Sequence, residues 1–186
     1  MYELIILSLL MRWPVHGYLI VKITNDMIGP WAKISSGTLY TILSRLEHDG
    51  LIAVMPHEGA PIGTERRART FAITADGRRR FYQLMLDTSS NLGDYERSFH
   101  FKLVFFDLLD PPQRLLLLNH YVNYCQTSIL YLQTEMDSLT HELADQPDPT
   151  FQRNVLRVMR HMAEQWQTEL EWATEIREHE RGESHP

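Results

Sequence analysis

Between Ser36 and Arg45 the side chains of Ser36, Thr38, Tyr40, Thr41, Ser44 and Arg45 are small, hydroxylated or basic, and no acid appears before Glu47. The intervening Leu39, Ile42, Leu43 and Leu46 fall at i, i+3, i+4 and i+7. On a helix that spacing buries one stripe and leaves a second face rich in hydrogen-bonding groups. Such a face suits close approach to a polyanion. Hydroxyls reach phosphates or base edges, that of Tyr40 a phosphate or a thymine methyl, and Arg45 brings positive charge. Ser36 and Gly37 add N–H groups at the helix start, where the dipole favours a phosphate. A second set, Arg66, Arg67 and Arg69 with Thr64 nearby, places three guanidinium groups within four positions. They can grip phosphates or enter a minor groove.

Covalent chemistry finds no comparable support. The nine glycines form neither a G-x-G-x-x-G run nor a phosphate loop ending in Gly-Lys-Ser/Thr, and there is no G-x-S-x-G elbow. The nine histidines are scattered, none paired at i+4 around a glutamate, so no metal site is expected. The one cysteine, Cys125, allows no intrachain disulfide and sits within an apolar helical seam, where an inert buried thiol is expected. We therefore expect no enzyme and no cofactor.

The elements that must position these residues follow from periodicity and stop signals. Met1–Met11 reads as a short helix ended by Arg12-Trp13-Pro14. A second helix opens at His16-Gly17-Tyr18 and stops at Gly29-Pro30. The third spans Thr38–Asp49, with Ser36 as the expected N-cap and Gly50 at the position after its end. Leu51–Met55 and Arg69–Thr74 have strand character and flank a glycine-bearing loop, which predicts a two-stranded hairpin. A fourth helix starts near Asp76. Three helices followed by a hairpin are the order of a winged helix-turn-helix, whose second motif helix enters the major groove.

After Tyr95 only helices are expected, over Tyr95–Leu108, Pro112–Leu143 and Thr150–Arg181. The second carries Leu115, Leu118, Val122, Cys125, Ile129, Leu132, Met136, Leu139 and Leu143, and the third Phe151, Val155, Met159, Met162, Trp166, Leu170, Ala173 and Ile176. Steps of three and four over such lengths approach a heptad seam, suited to antiparallel packing within the chain or to pairing between chains. The fold class is therefore mainly α (α+β). A winged helix-turn-helix over 1–88 precedes an all-helical dimerisation domain, a candidate effector domain too, over 89–186. An aromatic stretch joins the halves: Trp31, then Tyr95, Phe99, Phe101, Phe105 and Phe106. These rings suit either an effector cleft or hydrophobic cement between domains.

The 186 residues carry a net charge of −6, but unevenly. Residues 1–85 hold ten Lys and Arg against seven Asp and Glu, and 86–186 hold eight against seventeen. A polyanionic partner thus belongs to the first part. The apolar run Leu4–Met11 is too short to span a bilayer, follows Glu3 and precedes no small-residue cleavage site, so we expect neither a signal peptide nor a membrane partner. With one cysteine, a cytoplasmic location is expected.

Several separated motifs together resemble the PadR family of bacterial transcription regulators. They are Leu4–Leu10 followed by Pro14-Val15-His16-Gly17-Tyr18; Ile34-Ser35-Ser36-Gly37-Thr38-Leu39-Tyr40; Leu43-x-x-Leu46-Glu47-x-x-Gly50-Leu51-Ile52; and Thr64-Glu65-Arg66-Arg67-Ala68-Arg69 with Ile73-Thr74-x-x-Gly77. They cover about residues 1–85, and the remainder is similar to the helical domain of the family's longer subgroup. The resemblance implies a homodimer reading a pseudo-palindromic double-stranded DNA operator, usually as a repressor. In some members it implies release by an aromatic small molecule such as a phenolic acid. Thr41 stands where the family often has proline, so operator preference does not carry over. The alternatives are a winged-helix protein-interaction module and a ligand-independent activator.

Overall fold

The computed structural model describes residues 1–28, 34–55, 69–89, 92–142 and 149–183. Chain order is α1 (Tyr2–Arg12), β1 (Val15–His16), α2 (Gly17–Ile28), α3 (Ser36–His48), β2 (Ile52–Met55), β3 (Thr70–Ile73), α4 (Ala75–Leu86), α5 (Tyr95–Leu103), α6 (Pro111–Glu142) and α7 (Pro149–Glu183). Single 3-10 turns lie at Leu92–Asp94 and Phe106–Leu108. Two compact units result: Met1–Leu92 with His100–Phe105, and Gly93–Phe99 with Phe106–Pro186.

In the first unit α1 is buried on every side from Leu4 to Leu10, as expected of a helix with little polar face. Its one buried hydroxyl, Ser8, is satisfied within the helix by donating to the Leu4 carbonyl at 2.7 Å. Trp13, extended before Pro14, ends the helix. Glu3 in its first turn accepts a hydrogen bond from Arg80 of α4 at 2.8 Å.

The sheet corrects the two-stranded expectation. It has three antiparallel strands in the order β1-β3-β2. Val15 pairs with Phe71 and His16 with Thr70 on one side of β3, while Val54 pairs with Phe71 and Ile52 with Ile73 on the other. His16 therefore belongs to a strand rather than a helix start, and its ring Nδ1 lies 2.9 Å from the Thr70 hydroxyl oxygen. Two residues are too few to display alternation, which is why β1 left no periodic trace.

Backbone turns join α3, the sheet and α4. Gly50, at φ 72°, occupies the left-handed position after the α3 cap. Its N–H donates to the Glu47 carbonyl at 3.0 Å, and that of Leu51 to Leu46 at 2.9 Å, a double closure of the helix end. Thr74 caps α4: its hydroxyl oxygen accepts the Gly77 N–H at 3.0 Å and donates toward the Gly50 and Leu51 carbonyls at 2.7 and 3.0 Å. Gly77 is packed so closely that a Cβ there would lie 2.0 Å from the Leu51 carbonyl oxygen. Where α4 ends, the buried Lys102 ammonium donates to the Asp87 carbonyl. Burial lowers its pKa to about 8, against the opposing pull of Asp87.

In the second unit α6 and α7 form an antiparallel pair within the chain. Arg114 meets Glu180 at 3.1 Å, Tyr121 donates to Glu169 at 2.8 Å, and Gln152 donates to the Leu139 carbonyl at 3.4 Å. Leu118, Val122, Cys125 and Leu132 of the expected seam are buried, joined by Leu117 and Tyr121. Within this one chain the α7 seam is less covered. Ala173 is its one buried apolar residue among those described, while Phe151 and Met162 are exposed. One neighbouring helix covers only a narrow stripe, so apolar residues in the first half of α7 stay outside. Burial, then Glu169, pushes the Cys125 thiol up to about 12, as for an inert core cysteine.

Candidate nucleic-acid interface

Helix α3 starts one residue earlier than expected for its cap. Ser35, not Ser36, is the N-cap: its hydroxyl oxygen accepts the Thr38 N–H at 3.1 Å and pairs with the Thr38 hydroxyl at 2.8 Å. Both serines suit a cap chemically, and Ser35-x-x-Thr38 is the spacing that separates them. Leu39, Leu43 and Leu46 anchor the inner face. The turn from α2 into α3 is clamped by Asn25, whose amide donates to the Ile34 carbonyl at 3.1 Å and accepts the Ile34 N–H at 2.9 Å. Asn25 carried no periodic signal in the sequence, because its partner lies nine residues on across a turn.

The outer face of α3 is as polar as its composition implied. Ser36, Thr38, Thr41, Ser44 and Arg45 are exposed. Ser36, Ser44 and Arg45 have no side-chain hydrogen bond or ion pair among the described residues. Thr41 donates its hydroxyl to the Gly37 carbonyl of the preceding turn at 3.0 Å. Tyr40 is half-buried, its ring so close over Gly17 that a Cβ there would lie 3.0 Å from its ring and hydroxyl. Tyr40 and Ser36 of α3, with Tyr18 and Val21 of α2, line a cleft of ≈450 Å³.

Arg69 stands at the base of the hairpin. It pairs with Glu47 at 3.2 Å and sits 5.9 Å from the centre of the Phe71 ring. The first acid of α3 is therefore held back by a cation of the returning strand, a partnership that sequence separation concealed. Arg66, Arg67 and Trp31 lie outside the described residues.

The remaining aromatic candidates sort into two cores. Phe101 and Phe105 are buried in the first unit, and Tyr95, Phe99 and Phe106 in the second. Phe99 stacks on Tyr121 at 3.8 Å and meets Phe106 edge-on at 6.1 Å, while Tyr95 packs against Tyr124 at 5.1 Å.

No curated protein matches the sequence. Among solved structures, Bacillus subtilis PadR in complex with operator DNA shares 16% identity, with 96% of each chain covered and a TM-score of 0.41. The same protein in complex with p-coumaric acid gives 16% identity, 96% and 94% coverage and a TM-score of 0.37. The Vibrio cholerae virulence activator AphA shares 20% identity over 98% of this chain and 99% of its own, with a TM-score of 0.38. A protein-family model, the transcriptional regulator PadR-like family, matches residues 6–83. That family is one of transcription regulators rather than enzymes. The match begins within α1, takes in α3 and the three-stranded sheet, and ends within α4.

Proposed function

We propose that this protein is a DNA-binding transcriptional regulator that acts as a cytoplasmic homodimeric repressor. Each protomer lays α3 in one major groove of a pseudo-palindromic operator, with Thr38, Tyr40, Thr41 and Ser44 toward base edges and Ser36 and Arg45 toward phosphates. Arg66, Arg67 and Arg69 hold the flanking backbone. In this reading residues 1–88 bind DNA and 89–186 dimerise.

The observation that carries the reading is the exposed α3 face: hydroxylated side chains and an arginine, with its first acid, Glu47, paired with Arg69. Anionic DNA can approach such a face without meeting an uncompensated carboxylate. A second copy is supported by Leu116, Leu130, Tyr131, Phe151, Val158 and Met162, large apolar side chains exposed along α6 and α7. Pairing two such surfaces by a twofold closes the interface. No described helix is long and apolar enough to cross a membrane.

The test is a mobility-shift titration on DNA just upstream of the protein's own gene, with sedimentation run in parallel. Expected are a dimer, nanomolar sequence-selective binding, and affinity that falls steeply with salt. Binding insensitive to salt, or equal for operator and scrambled duplex, overturns the DNA reading in favour of a protein-interaction module. Adding p-coumaric acid tests release by a phenolic acid, and a reporter under the same DNA separates repression from activation.

A further inference from the structure

Helix α2 is anchored by the buried Ile20, Val21 and Thr24, and it presents two side chains of a different kind to solvent. Tyr18 is 59% exposed, and Lys22, one turn further along, is exposed too. A separation of four residues puts both on one face of the helix. Neither makes a hydrogen bond or an ion pair among the described residues. The Tyr18 ring is nevertheless steadied, because the His16 ring lies 6.2 Å away and nearly parallel, at 20°. His16 is in turn held to Thr70 of β3, with 2.9 Å between its Nδ1 and the hydroxyl oxygen. Tyr18 also borders the cleft of ≈450 Å³ that Ser36 and Tyr40 of α3 line together with Val21. Three of these four side chains carry hydroxyls and none is a carboxylate. On α2 the next acid, Asp26, stands one turn beyond Lys22.

We infer that Tyr18 and Lys22 form a second contact with the duplex, holding the sugar-phosphate backbone of the strand that crosses α2 while α3 occupies the groove. The inference rests on the DNA reading above and extends it to a helix which that reading leaves unused. In a helix-turn-helix the first helix of the motif lies across the backbone, so this face of α2 meets phosphates rather than base edges. A phenol suits that surface, with an apolar ring for the sugar and a hydroxyl for a phosphate oxygen. The Lys22 ammonium adds a point charge with no preference among bases. Because the Tyr18 ring is already held by His16, little ordering entropy is lost when it binds. Tyr18 shares its cleft with Ser36, so one stretch of backbone is gripped from both helices, which fixes the depth and angle at which α3 enters the groove. The pair sets position and affinity; it does not read sequence.

The test is a fluorescence-anisotropy titration of the full-length protein with the DNA upstream of its own gene and with a scrambled duplex, over a range of salt. Tyr18→Phe removes one hydroxyl and keeps the ring. It should weaken both duplexes about three- to tenfold and leave the salt slope unchanged, since a neutral hydroxyl displaces no counterion. Lys22→Gln should weaken both by a similar factor and flatten the slope by about one. A methylphosphonate at the contacted phosphate of each half-site should cost the parent affinity and cost Lys22→Gln much less. Both side chains are exposed, and melting profiles that match the parent's show that the variants fold. A parent that prefers the operator while either variant keeps parental affinity overturns the inference alone. So does a changed ranking of sequences in Tyr18→Phe, which would make it a base reader. A parent that does not tell operator from scrambled duplex overturns the DNA reading, and the inference with it.

Discussion

Replacing Gly77 by alanine adds one methyl group at a place where the backbone leaves no room for it. The new Cβ would lie 2.0 Å from the Leu51 carbonyl oxygen, 2.8 Å from Ile73 Cγ1 and 3.0 Å from the Leu51 carbonyl carbon. Relief demands that the first turn of α4 move from the sheet by about 1 Å, since interiors are packed with no slack. That shift stretches the Thr74 cap and the Thr74 N–H bond to Leu51, 3.1 Å in the parent. Overpacking costs about 1–3 kcal/mol. Loss of the cap adds ~1 kcal/mol. Alanine's better helix propensity returns ~1 kcal/mol. A net loss of about 1–3 kcal/mol in a unit of this size lowers its melting temperature by about 4–24 °C. Circular dichroism melts of Gly77→Ala measure this against Gly182→Ala, where the added methyl meets nothing within 4 Å. A Gly77→Ala melt within two degrees of the parent would refute the close approach, and with it the locking of α4 to the sheet.

Other outcomes follow from the same contacts. Lys102 titrates near 8 in the fold and at its ordinary 10.5 when unfolded, so between those values the unfolded chain binds the extra proton and stability rises with pH. Cys125 in the other unit works oppositely above pH 9, its folded pKa standing near 12. Urea denaturation at pH 7.5 and 9.5 should therefore show a smaller pH-dependent gain in Lys102→Met than in the parent. Asn25→Ala leaves both Ile34 backbone groups without their clamp, costing about 1–3 kcal/mol and weakening duplex binding in a shift assay. Arg45→Ala and Arg67→Ala should each weaken all duplexes alike and flatten the salt slope by about one, whereas Thr41→Ala should change the ranking of sequences.

Much of this protein is determined by short-range order along the chain. The stripe Leu39, Ile42, Leu43 and Leu46 defined α3 and, by exclusion, its hydroxyl-rich outer face; Trp13-Pro14 and Gly50 marked helix ends that recur in the structure. Those features depend on backbone stereochemistry and on i, i+3 and i+4 neighbours, so local spacing suffices to read them. Tertiary structure decided what depends on partners distant in sequence. The choice of Ser35 over Ser36 as cap rests on which hydroxyl reaches the Thr38 N–H, and the two-residue strand β1 exists because β3 offers it an edge. Glu47 became a neutralised acid only when Arg69 arrived from 22 residues away. Which α7 residues stay exposed in one chain was decided by the neighbour as well, since a heptad-like seam records a preference for burial and not the width of the helix that provides it. Local sequence specified the elements; the long-range contacts set the charge each site presents and the surface left for a partner.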